Sequence, residues 1–269
     1  MSQLLQAAAT PAGVFQVERP RVIAFVNRKG GVGKSTTTIN VAATLGHNLT
    51  KHLTPEQRAE YQCEVVVVSV DPQGSSLGWA KRIQNKELLP FDYVDASLEA
   101  GLIQDLIEDG YRYILIDTPG WTPPDEDTWD GMDDSKQATV LRAVLDMADE
   151  IIVPMEPEAL CYEPTMWTVE RTMRAHPKPF RILINNCGAS ENDVDLRNLR
   201  RWLAKRPHWP VFRSTIRGYK LHSRAPEQGV VCTEYPENTI GLKARGDFAD
   251  LTLEIAMEPA SRSMAAVSS

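Results

Sequence analysis

Five short stretches of the chain are apolar at nearly every position: residues 21–27 (RVIAFVN), 64–71 (EVVVVSVD), 111–119 (YRYILIDTP), 150–155 (EIIVPM) and 180–186 (FRILINN). A strand with one wet face alternates apolar and polar residues; unbroken Val and Ile fit strands covered on both faces, as in a parallel sheet between helical layers. Helical spacing falls between them, at residues 34–48, 98–108, 135–147 and 164–175. A further short helix is expected to open at Thr54-Pro55-Glu56-Gln57, which reads as a capping box with Pro in the first turn. The alternation predicts an α/β fold, a doubly wound, mostly parallel sheet flanked by helices. Residues 21–257 are expected to form one domain, with flexible tails at 1–20 and 258–269.

Composition narrows the class. A chain of 269 residues that is 42% hydrophobic can bury a sizeable core. No apolar run approaches the ~18 residues of a membrane span, and the opening MSQLLQAAATPAG lacks a basic n-region, so a cytoplasmic location is expected. The four cysteines, Cys63, Cys161, Cys187 and Cys232, lie far apart without a C-x-x-C pair, which reads as buried thiols rather than a zinc site or a disulfide framework.

Ligands of such sheets sit at the carboxyl ends of the strands, and three of these strands end in chemistry. The first runs into KGGVGKST, Lys29 to Thr36. Gly30, Gly31 and Gly33 permit a tight turn; with Val32 and Thr36 they would aim backbone N–H groups at phosphate oxygens, beside the positive end of the following helix. Lys34 is placed to meet the β- and γ-phosphates and Ser35 to bind Mg²⁺. The ordinary G-x-x-x-x-G-K-[ST] motif wants glycine where Arg28 stands, so this is a variant loop. The other two strands end at Asp71 and Asp117, where carboxylates can hold Mg²⁺ or orient water for attack on the γ-phosphate. A lone Asp after a strand is more often a cap or turn residue; two beside a phosphate loop favour the metal.

Charge is uneven. The formal net charge of −7 argues against nucleic acid at long range, yet residues 196–226 contain no Asp or Glu and nine Arg or Lys. A helix over 194–206 capped by Asp193 would put Leu196, Leu199, Trp202 and Leu203 on one face and Arg197, Arg201 and Lys205 on the other. Such a stripe is either an ordinary solvated face or a phosphate-binding surface. Residues 121–134 carry six acidic side chains and are expected as a solvated loop, or as a lid or partner contact.

Taken in order, KGGVGKST, VDPQG, LIDTP, VPMEPEAL and VFRSTIRGYKLHSRAPEQG, followed by a closing helix, make residues 21–257 resemble the ParA-type partition ATPases. These lie within the wider deviant Walker A P-loop class that also holds MinD and the nitrogenase iron protein. The resemblance implies ATP and Mg²⁺ as ligands, with Lys34, Ser35 and Asp117 at the phosphates. Lys29 would be the class's extra lysine, reaching to the phosphates of the partner subunit in an ATP-dependent homodimer, and Asp71 would position water for slow hydrolysis. Lys29, Lys34 and Asp71 would then be the catalytic set. It also implies nonspecific binding of double-stranded DNA through Arg197, Arg200, Arg201, Lys205, Arg213, Arg217, Lys220 and Arg224, nucleoid association, and stimulation by a ParB-like centromere-binding protein. The cargo would be a plasmid or chromosome, or alternatively a protein assembly or organelle held through a cargo adaptor. Asn185 and Asn186, which end a strand on the ligand rim, and Pro236 are the candidates for the base pocket, although Asn at a strand end is commonly a turn former.

The chain departs from the family's pattern at Ser69, which replaces an acidic residue, and in two long connections, 47–62 and 121–134. A membrane-cycling relative would need a terminal basic amphipathic helix and a redox relative paired cluster cysteines; neither pattern is present in LEIAMEPASRSMAAVSS or elsewhere in the chain. A non-enzymatic DNA-binding module is the reading from a different class.

Overall fold

The computed structural model describes residues 19–257 apart from 84–88, 98, 100, 123–127 and 191–192, so both expected tails lie almost wholly outside the described residues. The five expected strands form: β1 (Arg21–Phe25), β2 (Val65–Ser69), β4 (Tyr113–Asp117), β5 (Glu150–Met155) and β6 (Phe180–Ile184). A sixth, β3 (Asp92–Asp95), carries no apolar run to announce it, because its sequence, DYVD, places an exposed aspartate at each end of a sheet edge. All strands are parallel, in the order β3-β2-β4-β1-β5-β6.

Successive residues of each strand enter opposite cores, which is why the strands read as continuously apolar. Val22, Ala24, Val66, Val68, Ile114 and Ile116 face one layer. There they meet α4 (Gly101–Glu108), α5 (Lys136–Met147) and α7 (Val194–Ala204). Ile23, Phe25, Val65, Val67 and Leu115 face the other layer, against α1 (Lys34–Thr50), α3 (Ser75–Arg82), α8 (Lys220–Gln228) and α9 (Thr239–Met257). The architecture is the expected doubly wound α/β sheet.

The short α2 (Pro55–Ala59) carries the expected capping box: Thr54 Oγ1 accepts from Gln57 N at 3.3 Å, and Thr54 N donates to Gln57 Oε1 at 2.9 Å. The helix expected from residue 164 starts earlier. α6 spans Ala159–Trp167 and runs on through a π-helical turn, Thr168–Met173, so Pro164 lies inside it rather than in its first turn. The Thr168 hydroxyl donates to the Pro164 carbonyl at 2.9 Å within this widened stretch.

Register levels the strand ends that matter. Phe25 and Ser69 both stand opposite Asp117 in the ladder, so the segments leaving β1, β2 and β4 emerge together on one rim. The chain leaves β1 for one side of the sheet and later returns past it to the other, which makes this rim the topological switch point.

Candidate nucleotide site and basic face

The loop after β1 is built from below. Gly31 and Gly33 adopt φ of 80° and 82°, a region that side-chain-bearing residues avoid. Asn185 Nδ2 donates to Val32 O at 2.8 Å and packs so closely that a Cβ at Gly33 would lie 2.1 Å from it. Asn27 Nδ2 ties β1 to Pro154 O at 2.8 Å, and its Oδ1 accepts from Lys29 N at 3.0 Å. Sequence reasoning gave Asn27 no role and made Asn185 a candidate for the base pocket; instead both brace the loop, and the signal was a polar residue ending an apolar strand.

Lys34 is buried, and its Nζ donates to Asn27 O at 2.9 Å and Lys29 O at 3.0 Å. Burial pushes its ammonium down to about 8, against the pull of the Asp117 and Asp71 carboxylates. Asp117 has no exposed surface, and among the described residues neither of its oxygens completes a hydrogen bond. Burial raises its carboxyl to about 6, although the Ser76 and Ser35 hydroxyls and Lys34 act in the other direction. A buried carboxylate with both oxygens unmet is costly in isolation, and a hard cation is the partner its chemistry suits. A lysine and glycine-rich turn facing it suit phosphate. The residues therefore fit a Mg-nucleotide.

A cleft of about 870 Å³ brings Gly30, Gly31, Gly33, Lys34, Ser35, Thr36 and Asp71 together with Arg28, Thr118, Gly120 and Trp121. Val32 is buried beneath it. Asp71 Oδ1 accepts from Gln73 N at 2.9 Å, so this side chain caps its own turn while lining the cleft. Lys29 is half-buried and lies near enough to Glu156 to lower that carboxyl, which burial otherwise raises. Asn186, at a φ of 51°, donates to Glu156 Oε1 at 3.2 Å, and the exposed Pro236 abuts Gly241; neither lines the phosphate cleft.

Two sequence expectations need correction. The acidic segment is not simply a solvated loop. Asp130 is fully buried and forked by Arg142, at 2.6 and 3.1 Å, while Trp121 Nε1 donates to Gly131 O at 3.2 Å. Its residues 123–127 lie outside the described residues. On the basic face, Arg217 is already engaged: its Nε lies 3.0 Å from both oxygens of buried Asp247, and its Nη2 donates to Lys243 O at 3.2 Å. That carboxylate lies on α9, beyond the acid-free window that suggested an unneutralised cation.

The remaining basic residues stand as the helical spacing required. Asp193 caps α7, accepting from Leu196 N at 2.9 Å; Leu196, Leu199 and Leu203 are buried, and Arg197, Arg200, Arg201 and Lys205 are exposed. The helix ends at Ala204, and Arg206 beyond it stacks over Trp202 at 3.6 Å. Lys220 and Arg224 are exposed on α8, and exposed Arg213 leans toward Glu254 at 4.0 Å. Among the described residues no helix is long and apolar enough to cross a membrane.

Comparison with known proteins agrees with this geometry. The family described as an AAA domain matches residues 20–86, the stretch that carries the phosphate loop and Asp71. Over 218 residues, 78% of this chain and 83% of the relative, the sequence is 32% identical to the maintenance of carboxysome distribution protein A of Gloeobacter kilaueensis. The chain belongs to the ParA/MinD family of P-loop ATPases. Solved structures of this family share the fold: an ATP complex of Cyanothece McdA superposes with a TM-score of 0.60 at 13% identity, covering 88% of this chain and 96% of that one. The Pyrococcus furiosus cell division ATPase MinD gives 0.58 at 19% identity, covering 88% and 98%. In this ParA/MinD chain, as its motifs implied, the variant loop and the two strand-end aspartates share the switch-point rim.

Proposed function

We propose that this protein is a positioning ATPase, with residues 21–257 as its ATPase domain. It dimerises around ATP and Mg²⁺, binds double-stranded DNA without sequence preference in the nucleoid-containing cytoplasm, and distributes a protein assembly or organelle through a cargo adaptor. The match over most of the chain to a carboxysome distribution protein carries the cargo reading. It ranks that reading ahead of plasmid or chromosome segregation with a ParB-like partner.

In this mechanism Lys34 exchanges its two backbone carbonyl partners for phosphate oxygens, and the loop N–H groups from Gly30 to Thr36 close around them. Ser35 and Asp117 would hold Mg²⁺, which would supply charge neutralisation at the phosphates. Asp71 keeps Oδ1 in its turn and uses Oδ2 to orient the attacking water. Lys29 completes the neighbouring subunit's site, so loss of the terminal phosphate loosens the dimer. Two basic faces in one dimer meet more DNA phosphates than one, and their separation weakens binding.

An Asp71→Ala chain, loaded with ATP and used as bait in its own cells, tests the assignment. Recovery of an adaptor bound to a protein assembly is the expected result. Recovery of a centromere-binding protein instead would return the segregation reading, and a parent protein that binds no ATP would overturn both.

A further inference from the structure

Arg28 occupies the position that is glycine in the ordinary loop, in surroundings unusual for a guanidinium. Its main chain is fastened: the N–H donates to Thr168 Oγ1 at 3.1 Å, and the carbonyl accepts from Trp121 N at 2.9 Å. Gly120 lies so close that a Cβ there would stand 2.7 Å from Arg28 O. The side chain rests over the Trp167 ring, with Cζ 4.9 Å from the centroid. Nη1 is buried and has no hydrogen-bond partner among the described residues. Burial lowers the guanidinium's pKa, and Glu163 is the carboxylate that opposes the shift.

An aromatic face offsets part of a cation's desolvation but supplies no acceptor for its in-plane N–H groups. Such an unmet donor calls for an explanation beyond packing. Arg28 lines the same cleft as Gly30, Lys34 and Asp71, and a guanidinium fork matches phosphate oxygens in geometry and charge. We propose that Arg28 contacts the terminal phosphate of ATP bound in its own subunit, leaving the Trp167 ring as it does so, and thereby distinguishes ATP from ADP. The assignment rests on the ATP reading above and adds a residue to it. Trp167 also walls a separate cavity of about 570 Å³ with Trp129, Met166 and Arg174, so departure of Arg28 alters the surroundings of a ring shared by loop and surface.

The test is titration of ATP and ADP, each with Mg²⁺, into the parent, Arg28→Gln and Trp167→Phe proteins. Protein is kept dilute enough that light scattering reports monomers; calorimetry gives affinity and tryptophan emission reports the stack. Arg28→Gln should weaken ATP about tenfold and change ADP less than twofold. The parent should show an emission change with ATP larger than with ADP, and that excess, beyond what Trp121 in the cleft reports for both nucleotides, should be absent from both variants. Equal weakening of the two nucleotides would make Arg28 a mere support of the loop, and no weakening of either would remove it from the site; both overturn the proposal. If Arg28→Gln does not fold, Arg28→Lys serves, since it keeps the charge but loses the fork, and a three- to fivefold loss confined to ATP is expected. A parent protein that binds neither nucleotide would instead refute the ATP reading itself.

Discussion

The phosphate cleft and the outer face of α7 carry charge under opposite conditions. Lys34 lines the cleft and Asp117 lies wholly buried near it; burial displaces both pKa values toward neutrality, and each lies in the other's field. On α7, Arg197, Arg200, Arg201 and Lys205 stand in water. Removing one partner in the cleft therefore changes the state of the other, whereas charges on the helix should act independently and yield to salt. Mutations can break or sharpen that contrast.

The largest effect belongs to Lys34→Ala. Loss of its charge-assisted hydrogen bonds, worth about 3 kcal/mol together, should weaken ATP at least about 100-fold by calorimetry. Asp117→Asn comes next and has two signs. Because its folded pKa of about 6 lies above the ordinary value, the folded chain holds this proton more tightly than the unfolded chain. Stability of the metal-free protein should therefore fall as pH rises from about 4 to 6, by up to about 3 kcal/mol, and stay lowered above that window. Asn removes the penalty, so melting in EDTA at pH 7 should occur several degrees higher than in the parent, with the gap closing toward pH 4. The same variant should lose the Mg²⁺-dependent gain in nucleotide affinity. Equal melting of the two proteins at pH 7 would deny that the carboxylate is a buried charge awaiting a cation.

The smaller effects separate Arg217 from its basic neighbours. Arg217→Ala removes the guanidinium from buried Asp247, which keeps the residue-217 N–H at 3.0 Å, and should cost roughly 1–3 kcal/mol in denaturant unfolding, allowing for the arginine's partial exposure, without changing the salt dependence of DNA binding. Replacing Arg197, Arg201 and Lys205 together should do the reverse. Stability should stay within about 0.5 kcal/mol, while the slope of log K against log salt flattens by up to about 0.9 for each DNA phosphate that is no longer neutralised. Filter binding over a salt series distinguishes them.

The same contrast explains what could be read from the chain. Strand interiors were legible because a buried parallel sheet imposes unbroken apolarity, and KGGVGKST because its turn needs glycine at fixed places. The β3 strand was not, since an exposed edge strand needs no apolar run, and its DYVD resembles a turn. Asn27 was missed, and Asn185 was expected at the base pocket rather than as a brace of the loop, because their partners, Pro154 and Val32, are distant in sequence and local pattern is blind to them. Arg217 misled for the same reason: a window free of acid says nothing about Asp247, thirty residues on along the chain. Helix α7 lay in between, its periodicity and Asp193 cap readable, its exposed cations silent about what meets them.

The central claim is that nucleotide joins two copies through Lys29, and light scattering of the parent and Lys29→Ala proteins at saturating ATP and Mg²⁺ tests it most directly. The parent should double in mass with ATP and remain monomeric with ADP, while Lys29→Ala binds ATP with nearly parental affinity and stays monomeric. A parent that remains monomeric with ATP, or a Lys29→Ala protein that dimerises as the parent does, would contradict the account.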